Sequence, residues 1–194
     1  SKKVYEANIT VFNALKKSDT DPNGKFFLER YIAAHAIMIS FEGIPAIYFN
    51  SLFGKSNDEA KYVITGNNRD INRYKWSYEN ITKKLNNKNS KQSIFYQNLG
   101  KLLEIKRKQK AFHPNAKRLN INLGSKIFCY ERISLDKKQT IICITNLSTK
   151  LQYIKIHKNL VKYRDLIGRK IFFTLDKKIK PVSYTHLRAH ETDR

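Results

Sequence analysis

Phe41-Glu-Gly-Ile-Pro-Ala-Ile-Tyr-Phe49 is the stretch of sequence on which the fold prediction rests. Its second part, Ile44 to Phe49, is apolar, which predicts a short strand that is buried on both faces. The sequence before it, from about Lys25 to Ser40, predicts a helix that is apolar around most of its circumference and ends at Gly43. A helix followed by such a strand indicates an α/β fold with a buried parallel sheet.

The polar segment after this strand is the first candidate for a binding site, because α/β folds place ligands beyond the carboxyl ends of their strands. It includes Thr65-Gly-Asn-Asn-Arg-Asp-Ile-Asn-Arg73. The guanidinium groups of Arg69 and Arg73 match the oxygens of a phosphate or carboxylate in pairs, which makes them candidate anion binders. The alternative is a structural Arg–Asp pair that holds the loop, and the residues alone do not decide between the two.

A second kind of pattern begins after His113-Pro114, which predicts a domain boundary near residue 112. Short runs rich in Ile, Phe, Tyr and Thr, separated by polar turns, predict an antiparallel β domain. We therefore divide the chain into an α/β part at 1–112 and a β domain at 113–181. The predicted strands are Leu119–Leu123, Lys126–Ile133, Thr140–Leu147 and Leu151–Ile156, with two more at Arg169–Thr174 and Lys178–Pro181.

The last residues, 182–194, abandon the composition of the rest of the chain abruptly. They resemble a peptide translated from a sequencing adapter. We therefore predict that this tail is non-native, and the sequence-based prediction of fold and function leaves it out.

The charge of the chain points to nucleic acid at first sight. Its 194 residues include 38 Lys and Arg against 16 Asp and Glu, for a formal net charge of +22, and high positive charge is typical of phosphate-backbone binders. The lysines are scattered through every segment, however, and a composition rich in Lys, Asn and Ile fits A/T-rich codons. We expect a solvated basic surface. A nucleic-acid-binding module and a non-catalytic carbohydrate-binding module are the alternatives.

Other classes of protein are disfavoured by composition. Apolar residues make up 41% of the chain, enough for a folded core, and no apolar stretch reads as a membrane span. Cys129 and Cys143 are predicted to be small core residues, which favours a cytoplasmic location over a disulfide-bonded secreted protein. Metal-ligand spacing and a Gly-rich phosphate loop are both missing from the sequence, so we predict no metal site and no cofactor.

Several spaced motifs resemble one family. The segment 41–49 looks like the element at the eighth strand of the α-amylase superfamily, glycoside hydrolase family 13, and 50–58 with 66–73 is similar to its sucrose phosphorylase subfamily. Tyr5-Glu-Ala-Asn8 resembles the subfamily's loop after the seventh strand. Ala111-Phe-His-Pro-Asn-Ala116 looks like its entry into the C-terminal domain, most of all in the glucosylglycerate phosphorylase-like members.

The resemblance implies the C-terminal end of a (β/α)₈ barrel followed by a small antiparallel β domain. It also implies a retaining transfer of glucose from an α-glucoside, of the sucrose or glucosylglycerate type, to phosphate. Arg69 matches the family's phosphate- and acceptor-contacting arginine, Tyr5 and Glu6 match a mobile acceptor loop, and Arg73 is expected to hold the loop. The implied partners are a sugar substrate and inorganic phosphate, without nucleic acid or membrane.

The family's catalytic carboxylates lie before Tyr5, so the resemblance places no catalytic residue in these 194 residues. Asp58 and Asp70 lie in acceptor-side loops and are poor substitutes for them. We expect a C-terminal fragment of a sugar phosphorylase that is inactive by itself. A homodimer of the complete enzyme is left open.

Overall fold

The computed structural model describes residues 7–156, 163–167, 171–172, 175–179 and 184–189, with side chains described at 7–154 and 164–167. The chain divides into two compact units, which are described separately. The first unit comprises Ser1–Phe27 and Ala46–Gly100, and the second comprises Leu28–Pro45 and Lys101–Arg194.

Helices occupy most of the described residues before 113. They are α1 (Val11–Leu15), α2 (Phe27–Ser40), α3 (Phe49–Leu52), α4 (Glu59–Thr65), α5 (Tyr78–Asn86) and α6 (Lys91–Lys108), with 3₁₀ turns at Asn68–Ile71 and Lys110–Phe112. None of the helices in this described part of the chain combines the length and the apolar character needed to cross a bilayer.

The sequence predicts helices at about 25–40, from a cap at Ser77 to Leu85, and from a cap at Ser90 or Ser93 to about Lys110, and all three are confirmed. The side chain of Ser77 caps α5 by accepting from the Asn80 N–H at 3.2 Å, and the Ser90 hydroxyl accepts from the Ser93 N–H at 3.0 Å at the start of α6. Along α2, the His35 ring lies 2.8 Å from the carbonyl of Tyr31 one turn earlier. Burial lowers the pKa of this histidine, as expected for a core residue.

The core of the first unit is aromatic. The rings of Phe12, Phe27 and Phe95 meet edge to face, with centroids 4.5 Å apart for the first pair and 5.9 Å for the other two. Phe53 stacks on Tyr96 at 5.7 Å and meets Trp76 edge-on at 6.1 Å. These geometries are the ones that aromatic pairs prefer, so α1, α3 and the first half of α6 share one core.

The predicted strand at Ile44 to Phe49 is wrong for this structure. Residues 44–48 are not in regular structure and Phe49 begins α3. The side chains of Ile44, Tyr48 and Phe49 are 86%, 54% and 55% exposed. A strand exists only where neighbouring strands accept and donate its backbone hydrogen bonds, and all pairings among the described strands are antiparallel and lie beyond residue 116.

The antiparallel sheet predicted after residue 113 is confirmed and lies in the second unit, while the predicted domain bounds of 1–112 and 113–181 stay a prediction. Its strands are β1 (Lys117–Asn122), β2 (Ile127–Ile133), β3 (Thr140–Asn146), β4 (Gln152–Ile156), β5 (Tyr163–Asp165), β6 (Ile171–Phe172), β7 (Leu175–Ile179) and β8 (Tyr184–Ala189). Six of them form one sheet in the order β1-β2-β3-β8-β5-β6, and β4 pairs with β7. The first four strands lie where the sequence predicts them.

Strand β8 belongs to the tail that the sequence-based prediction left out of the fold. Its backbone pairs with β3 on one side, where Ile142 faces Leu187, and with β5 on the other. The structure therefore gives this segment a place inside the sheet. Its non-native origin stays a prediction.

A buried arginine organises the second unit. Arg132 on β2 has no exposed surface, and its guanidinium donates to the backbone carbonyls of Ser40 at 2.5 Å, His113 at 2.8 Å and Ala116 at 3.2 Å. Beside it, the hydroxyls of Ser40 and Tyr130 lie 2.5 Å apart. One side chain thus joins the end of α2 and the turn before β1 to the sheet.

The two cysteines lie in this sheet as predicted, as core residues. Cys129 and Cys143 are both free and buried. Burial raises the pKa of the Cys143 thiol to about 12. The protonated thiol is the unreactive form, so Cys143 behaves here as a small apolar side chain.

Candidate functional site

The two arginines singled out by sequence lie in a loop at residues 58–73, which we call the arginine loop. The loop starts with α4, whose N-cap is the side chain of Asp58, accepting from the Lys61 N–H at 3.3 Å. The helix ends at Gly66, which has a positive φ of 63°, a conformation that glycine adopts without strain. The Asn67 side chain then accepts from the Arg69 N–H at 3.1 Å and starts the 3₁₀ turn.

An ion pair closes the loop, but its cation is a lysine. The Lys61 Nζ lies 3.2 Å from the Asp70 carboxylate, and the Asp58 N–H donates to the Ile71 carbonyl at 2.7 Å. Hydrogen bonds from Thr65 and Lys61 hold the pKa of Asp70 below its usual range. For the structural Arg–Asp pair that the sequence left open, the structure thus shows Asp70 paired with Lys61.

Arg69 and Arg73 both lie on the exposed side of the arginine loop. The structure shows the Arg73 backbone N–H donating to the Asp70 carbonyl at 3.4 Å, at the end of the turn. Exposed guanidinium groups on a turn with fixed backbone can bind an anion through paired hydrogen bonds. The binding roles assigned to both residues stay predictions.

The far end of the loop is held by Asn50, whose side chain is only 3% exposed. Its amide donates to the carbonyls of Asn72 at 3.2 Å and Tyr74 at 3.0 Å, and its oxygen accepts from the indole N–H of Trp76 at 2.9 Å. A buried polar group with three partners fixes the chain that it contacts. Residues 72–76 are thus fixed against α3.

A second asparagine network holds the N-terminal segment. The Asn57 side-chain oxygen accepts from the Thr10 backbone N–H at 2.9 Å and from its hydroxyl at 3.0 Å, and the Asn57 N–H donates to the Asn13 side chain at 2.9 Å. Tyr5 and Glu6, the predicted acceptor-loop residues, lie outside the described residues. The network shows only that the segment from Thr10 onward is bonded to residue 57.

A small cleft of about 110 Å³ lies between these anchored segments. Thr10 and Val11 line it from the N-terminal side, Asn50 and Lys55 from α3 and the turn after it, and Asn72 from the arginine loop. Arg69 and Arg73 do not line the cleft. The structure therefore brings the segment after Tyr5 and Glu6 close to the end of the arginine loop, and neither guanidinium lines this cleft.

The three anchoring asparagines, Asn13, Asn50 and Asn57, were missed by sequence reasoning. A signal was available, because Asn side chains are among the few that imitate a backbone hydrogen-bonding group at caps and turns. Two of the loop's carboxylates are already engaged, Asp58 as a helix cap and Asp70 in the ion pair. The arginine loop thus presents two exposed guanidinium groups, while Asp58 and Asp70 are held in structural roles.

Comparison with known proteins gives consistent relatives. No family model matches the chain. It is 32% identical over 174 residues to the glucosylglycerate phosphorylase of Escherichia coli, covering 86% of this chain and 30% of that protein. It is also 32% identical to the glucosylglycerate phosphorylase of Spirochaeta thermophila, covering 74% of this chain and 24% of that protein.

A sucrose phosphorylase from Agrobacterium vitis is 37% identical over 71 residues, covering 37% of this chain and 13% of that protein. The chain spans about 30% of the length of the Escherichia coli glucosylglycerate phosphorylase. The resemblance drawn from the motifs is confirmed at the level of homology to sugar phosphorylases.

Solved structures show the same fold in distant relatives. A variant of AmyP in complex with maltotriose matches with a TM-score of 0.70 at 15% identity, covering 90% of this chain and 37% of that one. The trehalulose synthase MutB of Pseudomonas mesoacidophila matches with a TM-score of 0.62 at 12% identity, over 83% of this chain and 38% of that one. At such identities the likeness shows the fold alone, which this chain shares with part of these α-amylase family enzymes.

Proposed function

This chain is a homologue of the glucosylglycerate phosphorylases of the α-amylase superfamily, and we propose that it is the C-terminal part of a retaining α-glucosyl phosphorylase. The complete enzyme transfers glucose from an α-glucoside of the glucosylglycerate or sucrose type to phosphate. The observation that carries the proposal is the 32% identity to a glucosylglycerate phosphorylase over 86% of the chain.

In such a reaction one carboxylate displaces the leaving group from the anomeric carbon while a second carboxyl group protonates the departing oxygen. An oxygen of phosphate then attacks the same carbon and releases the first carboxylate, which yields α-glucose 1-phosphate. We assign both carboxylates to the part of the enzyme outside these 194 residues. The engagement of Asp58 and Asp70 in a helix cap and an ion pair supports this assignment.

Arg69 is the proposed phosphate contact. Phosphate enters as a dianion beside a carboxylate, and a guanidinium group offsets that repulsion through paired, charge-assisted hydrogen bonds. The support is its exposure on a turn that is fixed by the Asn67 cap and by the Lys61–Asp70 ion pair. Arg73 ends the same turn and is proposed to hold it. Tyr5 and Glu6 are proposed to contact the acceptor sugar.

The exposed segment 44–49 supports the proposal that the first part of this chain is the end of a barrel. It has the apolar character of a buried strand, yet Ile44 is 86% exposed. In a closed barrel, parallel neighbours would complete its hydrogen bonds and cover its side chains. We assign those neighbours to the part of the enzyme that lies outside these residues.

The first test is an activity assay on the purified 194-residue chain. Release of α-glucose 1-phosphate is measured with sucrose and with glucosylglycerate in the presence of phosphate, and no turnover is expected. Turnover above a buffer control would refute the assignment of the carboxylates to another part of the enzyme.

The second test concerns Arg69. Phosphate titration is followed by backbone NMR shifts of the arginine loop, in the parent chain and in Arg69→Gln. Arg107→Gln, which removes the same charge from an exposed position on α6, is the matched control. Loss of the phosphate-dependent shifts in Arg69→Gln alone is expected. Equal shifts in both variants would contradict the role given to Arg69.

A further inference from the structure

A cavity of about 520 Å³ in the first unit is lined by four lysines. Lys16 comes from the end of α1, Lys55 from the turn after α3, Lys84 from α5 and Lys91 from the first turn of α6. Among the described residues that line it, none is acidic. Four chain segments thus bring positive charge to one concave surface, and neither Arg69 nor Arg73 takes part.

Four lysines along one cavity favour the binding of an anion. Like charges that share a cleft with low-dielectric walls repel one another more strongly than they would in bulk water. Lys55 and Lys84 are both half-buried, and the Lys55 Nζ lies 3.9 Å from the centre of the Tyr74 ring, which fixes its position. A bound dianion would turn the repulsion into attraction.

The start of α6 adds to this field. Lys91 is the first residue of the helix and Gln92, the next one, also lines the cavity. The free N–H groups of a helix N-terminus carry a partial positive charge that attracts anions such as phosphate.

The remaining lining groups indicate what accompanies the anion. The indole N–H of Trp76 is already donated to Asn50, so Trp76 offers its apolar ring to the cavity. Asn80, Gln92 and Ser56 line the same cavity and supply amide and hydroxyl groups suited to hydroxyl-rich ligands. A cavity of this size lies within the range of small-molecule sites.

We propose that this cavity, the lysine pocket, binds a phosphorylated sugar, with the phosphate on the lysines and the sugar ring against Trp76. The proposal does not rest on the proposed function, because it uses no residue of the arginine loop, and Lys55 alone lines both this pocket and the small cleft. Binding there would make the first unit respond to the concentration of a sugar phosphate as an effector.

The pocket carries its own reporter, since Trp76 is the only tryptophan in the sequence. Its emission is followed during titration of the purified chain with glucose 6-phosphate, inorganic phosphate and unmodified glucose. We expect saturable changes with glucose 6-phosphate, weaker binding of inorganic phosphate, and none with glucose. Equal affinity for inorganic phosphate and the ester would overturn the sugar assignment. Saturation by unmodified glucose would overturn the role of the lysines.

The paired variant Lys55→Gln/Lys84→Gln removes two pocket charges. Lys83→Gln/Lys88→Gln is the matched control, because it removes two charges from exposed positions on and just after α5. We expect the dissociation constant for glucose 6-phosphate to rise at least tenfold in the first and less than twofold in the second. Similar weakening in both would show an unspecific charge effect and overturn the pocket.

Lys91→Gln, at an exposed position, keeps the proposal testable if the paired variant does not fold, and we expect it to weaken binding several-fold. A duplex DNA arm is included. If the chain binds DNA but does not bind glucose 6-phosphate, the proposal is overturned in favour of a nucleic-acid surface.

Discussion

Replacing Gly54 by alanine should destabilise the first unit through two separable effects. Gly54 has a positive φ of 56°, and a Cβ added there would lie 2.3 Å from the Cδ2 of Phe95. Comfortable carbon–carbon contact begins near 3.5 Å, so the ring would have to retreat by roughly 1 Å. Phe95 is almost fully buried against Phe12 and Phe27, so a shift of its ring would disturb this aromatic core.

The size of the effect follows from these two terms. A left-handed backbone costs an L-residue about 1–2 kcal/mol, and forcing a close-packed core to accommodate an extra methyl costs about 1–3 kcal/mol. The free energy of unfolding should therefore fall by about 2–5 kcal/mol. With a urea dependence of about 2 kcal/mol per molar, the unfolding midpoint would drop by roughly 1–2.5 M.

Substitutions at two other glycines separate the backbone effect from the packing effect. Gly66 also has a positive φ, of 63°, but a Cβ there meets no atom within 4 Å, so Gly66→Ala should lose only the backbone term of about 1–2 kcal/mol. Gly100 lies inside α6 without a positive φ and with open space around it. Gly100→Ala should be neutral or stabilise by about 0.5–1 kcal/mol.

Urea unfolding followed by the emission of Trp76 measures all three variants, since this residue lies in the same aromatic core. From highest to lowest, the expected urea midpoints are those of Gly100→Ala, Gly66→Ala and Gly54→Ala. Equal midpoints for the Gly54 and Gly66 variants would refute the reasoning, because they would show that the Phe95 ring yields without cost.

Three further predictions concern hydrogen bonds and ionisation. Asn50→Ala should lower the free energy of unfolding by about 1–3 kcal/mol, because it leaves the buried end of Trp76 and two carbonyls without a partner; urea midpoints check this. Lys61→Met should raise the pKa of Asp70, measured by carboxyl NMR titration. Since folding lowers that pKa, the stabilisation is present above the ordinary aspartate pKa and is lost as the pH falls through the lowered one. Cys143, whose pKa is about 12, should resist iodoacetamide at pH 8 in the folded chain and react in 6 M guanidinium, as mass spectrometry will show.

Local patterns could be predicted from the sequence because their causes lie within a few residues. Helices α5 and α6 have serine caps at Ser77 and Ser90, and the period of apolar residues fixes their length. The strands β1–β4 were found for the same reason, since β-branched runs and polar turns alternate at short range.

The predictions that failed concern segments whose structure depends on hydrogen bonds to distant parts of the chain. The segment 44–49 has the composition of a buried strand, but ladder hydrogen bonds must come from other strands, and composition does not show whether these are present. Strand β8 was left out because its composition is foreign to the chain, while pairing with β3 and β5 needs only backbone groups.

The candidate site was predicted in part. The arginine loop was found because Gly, Asn and Arg cluster in eight residues, but the lysine partner of Asp70 and the anchors Asn50 and Asn57 were not. Each of these contacts joins residues that no periodic pattern relates. The lysine pocket could not be predicted from the sequence for the same reason, because successive lysines of the four are 39, 29 and 7 positions apart along the chain.

The buried Arg132 has a consequence for how the second unit tolerates mutation. Its three acceptors, at Ser40, His113 and Ala116, are backbone carbonyls, and every amino acid carries that group. A substitution at His113, which is exposed, therefore leaves its hydrogen bond in place, whereas a substitution at Arg132 breaks three bonds at once. Only the identity of residue 132 is needed for these three hydrogen bonds. In a saturation mutagenesis library, we therefore expect few substitutions to be tolerated at position 132 and many at position 113.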